Sequence, residues 1–453
     1  MEDESLDTIG VCSSEDRGRL SSTLGWLDPP SHLELLQVFY VLRHGERTPV
    51  RRRLTTAEPP LPKRWNMCHT SHKFRQAVLR QSEEDMDSVE PGLARIQRRI
   101  EYAPHGESPH VGSSGDCLLG ELTDRGRMSM LRIGQALRAR YVEAEHLLPS
   151  IMSDEHANQV YFRSTYVNRT MQSLDQVIVG LLGDKVGQEG RFTPKVLLRD
   201  PFQEDLVPNS RTCPQLAALM TKFEKAAAQF YDPKLAALDS IVAPMDRGFL
   251  PRLDQGPKLS GLIDTLRSAL VHGISVPPEL QEQSVQRLME DAVIAEWFGG
   301  YESSDLEERR KFRRMAMGPF LSSLYGQMER RVTLGDCDPL RLGLYLGHDV
   351  TLVGLLHTLD VFNRNWPAFS AGISFELFRD KNASTIAHRD QISDHYVRCR
   401  YGDAELHLPG CSAAGKHLPG HPEFCTLEAF REVVVDRLEN PQGLTLQEEC
   451  GAF

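Results

Sequence analysis

No stretch of this 453-residue chain approaches the run of about 20 apolar residues that a membrane-spanning helix needs. The opening MEDESLDTIGVCSSEDRGRL has neither the basic flank nor the apolar stretch of a secretory signal, and its acidity speaks against a transit peptide. These absences predict a cytoplasmic protein, with a mitochondrial or secreted one expected only if a targeting segment precedes Met1. Basic surplus is missing as well. A formal net charge of −11 argues against nucleic acid or anionic membrane as a general partner, because both demand basic surface. The nine cysteines contain no CxxC pair, so no zinc framework is visible, and their odd number predicts mostly reduced thiols. Cys411 and Cys425 bracket a Gly/Pro/His-rich loop and are the pair able to bridge in an oxidising compartment. Cys68, His69 and His72 have ligand-like spacing, but no second ligand pair lies near them, and no metal is expected there. No internal repeat is present.

What remains is the composition of a globular protein, 40% hydrophobic and 25% charged, long enough for two domains or one large domain with an inserted lobe. Residues 1–30 read as a mobile tail ending at Asp28-Pro-Pro30. Residues 33–42 predict a first strand. The stretch 54–118, rich in Pro, Ser, Glu and Arg, predicts an irregular insertion with at most short helices such as 92–102, and a segment that long is usually functional or a lid. In 122–141, Leu122, Met130, Ile133, Leu137 and Tyr141 fall at helical spacing, with Thr123 or Asp124 as N-cap. A second strand is expected at 159–162 and a helix through Leu182. Residues 205–330 hold helical patterns and no convincing strand, which predicts an α-helical cap. Strands at 341–347 and 371–378 flank a helix over 350–359. Strands alternate with helices across connections too long for hairpins. The expected fold is therefore α/β, a mainly parallel sheet between helical layers (31–53, 119–204 and 331–453) with the cap inserted.

Three of these strands end alike. LLQVFYVL runs into RHGER, QVYF into RSTYVNRT, and RLGLYLG into HDVTLVGLL. Ligands of open parallel sheets bind beyond the carboxyl ends of the strands. If the three strands are neighbours, Arg43, His44, Arg47, Arg163 and His348 converge there, with Asp349 as the one acid, and two helix N-termini add partial positive charge. Such a cluster is costly unless a multivalent anion fills it, and the planar fork of arginine suits phosphate. Its arginine neighbours depress the pKa of His44, leaving a neutral imidazole able to attack, and Asp349 fits the acid that protonates a poor alkoxide leaving group. That second role predicts an acidic optimum. Arg169, six residues beyond Arg163, reads as a structural or salt-bridge residue, and Glu46 as directed away from the anion. A single strand-end arginine is usually a solvated rim charge. The bland reading fails only because three such ends occur in order.

RHGERTP at 43–49, FRSTYVNRT at 162–170 and GHD at 347–349 resemble the three signatures of the histidine acid phosphatases, the second branch of the histidine phosphatase superfamily. The segment 122–141 resembles that family's Leu-Thr-x-x-Gly helix. The resemblance implies metal-independent hydrolysis of a small-molecule phosphomonoester through a covalent phosphohistidine, with no cofactor. Carried over, it implies His44 as nucleophile, Arg43, Arg47, Arg163 and His348 as phosphate ligands, and Asp349 as proton donor. The run HDVTLVGLLHTLDVFNRNWPAFSAGISFELF, 348–378, resembles members that act on monoacyl glycerol phosphates, which adds lysophosphatidic acid to the substrates implied. The alternatives are a phytase-like inositol polyphosphate phosphatase, which needs a cap lined with Lys and Arg, and an inactive phosphate-binding module, which would have lost His44 or Asp349.

Overall fold

The computed structural model describes residues 28–71, 73, 115–183, 192–256, 258–382 and 392–451. Most of the expected tail and the helix expected over 92–102 lie outside them. Among the described residues nine strands form one sheet: β1 (Leu33–Arg43), β2 (Val160–Ser164), β3 (Val196–Leu198), β4 (Leu342–Gly347), β5 (Gly372–Asp380), β6 (His395–Tyr401), β7 (Ala404–Leu406), β8 (His417–Leu418) and β9 (His421–Thr426). The order is β3-β2-β4-β1-β5-β6-β9-β8, with β7 on β6. The first four are parallel, and everything beyond β1 is antiparallel. The parallel strands are the core of the α/β layering. The antiparallel extension beyond β5 had no clear sequence signal, because β6 carries Arg398 and Arg400 inside the protein rather than an apolar alternation.

Burial on both faces explains the uninterrupted apolar run of β1. Val38, Tyr40 and Leu42 face helices α1 (Asp124–Leu137) and α2 (Asn168–Leu182), in one cluster with Met130, Leu174 and Val177. Phe39 and Val41 face the larger core on the other side. Between β3 and β4 the described residues hold helices and no strand, among them α3 (Pro214–Leu235), α4 (Leu259–Val271), α5 (Gln283–Phe298), α6 (Leu306–Ala316) and α7 (Gly318–Leu334). Helices α6 and α7 are separated at Met317-Gly318-Pro319, where proline can begin a helix but not continue one. Helix α8 (Asp349–Thr358) leaves β4 directly.

The cysteines correct the expectation of mostly reduced thiols. Disulfides join Cys68 to Cys117, Cys213 to Cys450 and Cys411 to Cys425, while Cys337 and Cys399 are free. Only the last pair is close in sequence. The others span 49 and 237 residues, separations that the fold closes and no spacing rule reveals. Disulfides persist in oxidising rather than cytosolic surroundings, so the cysteine count no longer supports a cytoplasmic protein. Among the described residues no helix is long and apolar enough to cross a membrane.

Candidate active site

Strand register sets the site. Arg43 lies opposite Gly347, the last residue of β4, so the loops after β1 and β4 leave the sheet side by side. The backbone continues the ladder for one step, His44 N–H donating to Gly347 O at 3.2 Å and Thr165 N–H to Leu346 O at 3.0 Å. Gly45 is required by close approach: a Cβ there would sit 2.6 Å from Gly126 O, at the start of α1. Thr123 caps that helix by accepting from Gly126 N–H at 3.2 Å, and its hydroxyl reaches Glu46 O at 3.1 Å. The Leu-Thr-x-x-Gly segment is thus the bed on which the RHGER loop lies.

A cavity of about 480 Å³ opens at this end of the sheet, lined on its inner wall by Arg43, His44, Arg47, Arg169, His348 and Asp349. His44 Nδ1 lies 2.9 Å from Gly45 O. A carbonyl only accepts, so Nδ1 carries the proton and Nε2 keeps a lone pair. Burial, then Arg47, Arg169 and Arg43, holds the His44 pKa well below its ordinary value, so the imidazole is neutral. Burial and Arg169 likewise hold His348 down at about 3. Its Nε2 is 3.0 Å from Thr165 Oγ1, and its backbone caps α8 with Thr351. Arg43 Nη2 pairs with Asp349 Oδ2 at 2.9 Å, and Arg47 Nη2 with Asp264 Oδ1 of α4 at 2.7 Å. Burial alone would raise the Asp349 pKa, but Arg43 and Arg47 override it and hold it at about 2, so the arginines keep this carboxyl ionised. Burial lowers Arg43 and Arg169 to about 10, which leaves both charged near neutrality.

Two expectations change. Arg163 does not line the cavity. It stands opposite Tyr345, two residues short of the level of Gly347, and its Nη2 bonds Glu204 at 2.5 Å and also Asp205. Arg169, expected to be structural, takes the place. The chain turns through Thr165–Val167 before α2 begins at Asn168, so the first helical turn returns to the level of the strand ends. Arg169 makes no ion pair among the described residues, and its Nε is buried without a hydrogen-bond partner. Counting residues from Arg163 along one helix missed this. The signal was available in the β-branched Thr165 and Val167 and in Asn168, which favour a turn before the helix.

Glu46 is accounted for. It is buried off the cavity, accepting from Ser129 Oγ at 3.0 Å with Arg125 at 3.7 Å, and burial raises its pKa. The sequence reading used the segment after α8 for the resemblance alone and assigned its residues no part in the site. Pro367 O accepts from Arg43 Nη1, and Phe369 lies under the Arg43 guanidinium at 4.2 Å and near the His44 ring at 5.8 Å. Ser370, at φ 65°, donates its N–H to His44 O at 3.1 Å. A non-glycine residue held in the left-handed region beside the cavity is strain that the surroundings stabilise. In the CHTSH stretch Cys68 is in a disulfide and His69 Nδ1 lies 3.0 Å from Asp124 Oδ2, while His72 lies outside the described residues.

The outer wall of the cavity comes from the middle helices and the 50–53 turn. It mixes Val50, Ile263, Val293, Trp297 and Trp366 with Arg51, Arg53, Lys258 and Arg267. Two of those cations are already neutralised, Lys258 by Glu224 and by Glu296 at 2.9 Å, and Arg267 by Glu290 at 3.0 Å. The inner end can therefore hold an oxyanion with several guanidinium donors. Beside it stand a neutral imidazole with a free lone pair and a carboxyl.

Comparison with known proteins points the same way. A family model for the histidine phosphatase superfamily (branch 2) matches residues 34–254. A Schizosaccharomyces pombe protein named Probable acid phosphatase is 31% identical, over 90% of this chain and 93% of that protein. Human lysophosphatidic acid phosphatase type 6 is 26% identical over 77% of this chain and 75% of its own length. Among solved structures, Hafnia alvei phytase in complex with tartrate superposes with a TM-score of 0.56 at 16% identity, covering 92% of this chain and all of that one, a likeness of fold.

Proposed function

This chain belongs to the histidine acid phosphatases, branch 2 of the histidine phosphatase superfamily, and from that premise we propose that it hydrolyses phosphomonoesters through a phosphohistidine at His44. The observation that carries the reading is the Nδ1 contact to Gly45 O, which leaves the lone pair on Nε2 of an imidazole that lines the cavity with the arginines. Arg43, Arg47, Arg169 and His348 bind the phosphoryl oxygens. The His44 Nε2 lone pair forms the bond to phosphorus as the ester P–O bond breaks, and Asp349 gives its proton to the departing alkoxide. Water then attacks phosphorus, its proton passes to the Asp349 carboxylate, and phosphate leaves with His44 neutral again. The arginines supply the charge stabilisation that phosphoryl transfer needs, and no metal enters the scheme. Arg163 has no part in it.

The arginines hold Asp349 ionised, so its proton has to arrive with the substrate. A phosphomonoester loses its second proton near about pH 6. Below that it enters as a monoanion and can protonate Asp349. Above it the ester and the carboxyl have both lost the proton, and the rate falls. The acidic optimum follows from this hand-over. Rapid acid-free quenching of a turnover with labelled p-nitrophenyl phosphate tests the scheme. The expected result is a base-stable, acid-labile phosphoenzyme that His44→Ala abolishes, with activity down by about 10⁴-fold or more. Labelling or turnover that survives the substitution removes His44 from this role.

For the leaving group we propose a partly apolar alcohol, lysophosphatidic acid being the named example. Support comes from Val50, Ile263, Val293 and Trp297 beside two neutralised cations. Arg51 and Arg53 make no ion pair among the described residues, and they favour the second reading, a polyphosphorylated alcohol such as phytate. A panel of lysophosphatidic acids of varied chain length, glycerol phosphate and phytate separates the two. A kcat/KM that rises with chain length supports the first, and a preference for phytate overturns it.

A further inference from the structure

We propose that Trp366 is the positioning residue of the proton donor, fixing which oxygen of Asp349 carries the catalytic proton; this rests on the reading of Asp349 as general acid. Helix α8 begins at Asp349, and the chain behind it returns along 359–371 to bring Trp366 back to the helix start. The indole Nε1–H donates to Asp349 Oδ2 at 3.1 Å, the oxygen that Arg43 Nη2 holds at 2.9 Å. An indole N–H and a guanidinium are donors at any working pH and never accept. Oδ2 therefore keeps its lone pairs committed to two donors, and a proton arriving at the carboxyl goes to Oδ1. Among the described residues that oxygen has one hydrogen-bond partner, the Val350 N–H at 2.9 Å, and a lone pair is left for the proton.

The indole is itself held from several sides. The Trp366 backbone N–H donates to Glu290 Oε1 at 2.6 Å, and Arg267 pairs with the same oxygen at 3.0 Å while lying over the ring at 4.9 Å. Trp297 meets the ring edge-on with centroids 5.6 Å apart. Glu290 and Trp297 belong to α5 and Arg267 to α4, so the middle helices grip the tryptophan and the tryptophan grips the acid. The next residues brace the other groups: Pro367 O takes Arg43, Phe369 underlies it, and Ser370 takes His44 O. An aromatic that merely lined the cavity would need neither the indole N–H contact nor a buried carboxylate behind its backbone.

The charged groups facing Asp349 are Arg43 from β1, Arg47 from the loop after it, Arg169 from α2 and neutral His348 from the β4–α8 turn. The Trp366 bond favours the carboxylate form, in the same direction as the arginines. Trp366→Phe keeps the ring and removes the N–H. In the full chain it is expected to lower kcat on glycerol phosphate by about tenfold more than on p-nitrophenyl phosphate, whose leaving group needs less protonation. KM should stay within about threefold, and the basic limb of the kcat–pH profile should move to higher pH. In an Asp349→Asn background the same substitution should change kcat less than about twofold. Equal losses on both substrates, a change in KM alone, or a full effect in the Asp349→Asn background would overturn the proposal. If Asp349→Asn by itself shows no leaving-group dependence, the general-acid reading fails instead. Glu290→Gln, which loosens the indole from behind and frees Arg267 on the outer wall but leaves the inner wall of the cavity unchanged, should show the same discrimination at smaller size even if Trp366→Phe folds poorly. Its absence there also counts against the role.

Discussion

In the antiparallel half of the sheet, Arg398 and Arg400 are 1% exposed, more deeply buried than the arginines of the cavity. Arg398 Nε binds Glu376 at 2.7 Å, Tyr141 Oη donates to the same carboxylate at 2.8 Å, and Glu405 lies 3.5 and 3.6 Å from the two guanidiniums. At the ends of the parallel strands the balance is different. Arg43, Arg47 and Arg169 face two carboxylates, Asp349 and Asp264, and Arg169 has no ion pair among the described residues. Buried charge that the fold has already matched fixes strands against each other. Buried charge left over marks where an anion belongs. The difference also sorts Arg163, which lies close to the cavity in sequence and yet is matched by Glu204 and Asp205. It belongs with Arg398.

The comparison breaks most sharply on the two arginines of the second signature. Arg169→Ala should lower kcat/KM by about 10²–10³-fold through lost stabilisation of the transferring phosphoryl group. Thermal stability should be unchanged or raised, since like-charge repulsion is relieved. Arg163→Ala should do the reverse. It leaves Glu204 and Asp205 without their buried partner, a loss of about 3–5 kcal/mol in denaturant unfolding, while kcat/KM per folded molecule stays within a few-fold. Arg398→Met should behave like Arg163→Ala, because Glu376 is 0% exposed and loses its cation. Steady-state kinetics beside urea melts of the three variants is the measurement. A catalytic defect in Arg163→Ala with native stability, or a stability defect in Arg169→Ala with native kinetics, would dissolve the distinction.

Parts of the fold and the site were legible from sequence and parts were not, for physical reasons. The strands ending at Arg43 and Gly347 are buried on both faces, so apolar composition alone reveals them, and the polar residues just beyond each strand stand out against it. Thr123 was readable as a candidate cap, whereas the close approach of Gly45 to Gly126 shows only in the fold. Arg169 was missed because three residues of turn reset the direction of the chain, and a side chain's direction depends on that turn rather than on distance along the sequence. Trp366, Phe369 and Ser370 act through an indole N–H, a ring face and backbone groups, none of which has a sequence pattern of its own. Asp264 is one acid among many until α4 is laid against the 43–53 loop. β6 hid its nature by carrying Arg398 and Arg400, whose partners Glu376 and Glu405 sit on β5 and β7.

The smallest expected effect concerns the same contrast as a function of pH. His348 is held at about 3 in the folded protein, against about 6.5 in an unfolded chain. Below pH 6.5 the unfolded chain takes up a proton that folded His348 refuses, so stability present above that pH is lost as pH falls toward 3, and His44 acts in the same direction. Asp349, held at about 2 against about 3.9 unfolded, contributes stability above pH 3.9 that is lost between about pH 4 and 2. The two windows overlap only below about pH 4. Tm should therefore begin to fall near pH 6.5, well before the carboxylates titrate, with a slope of at most about 1.4 kcal/mol per pH unit for each buried histidine. Inorganic phosphate should flatten this slope, because an anion between the arginines makes a protonated histidine less costly. His348→Gln should flatten it without phosphate. Scanning fluorimetry from pH 7 to about 4.5 reads both. A Tm that is level down to pH 5, or that falls identically in the His348→Gln variant, would mean that burial and the positive charge of the cavity do not hold this imidazole neutral.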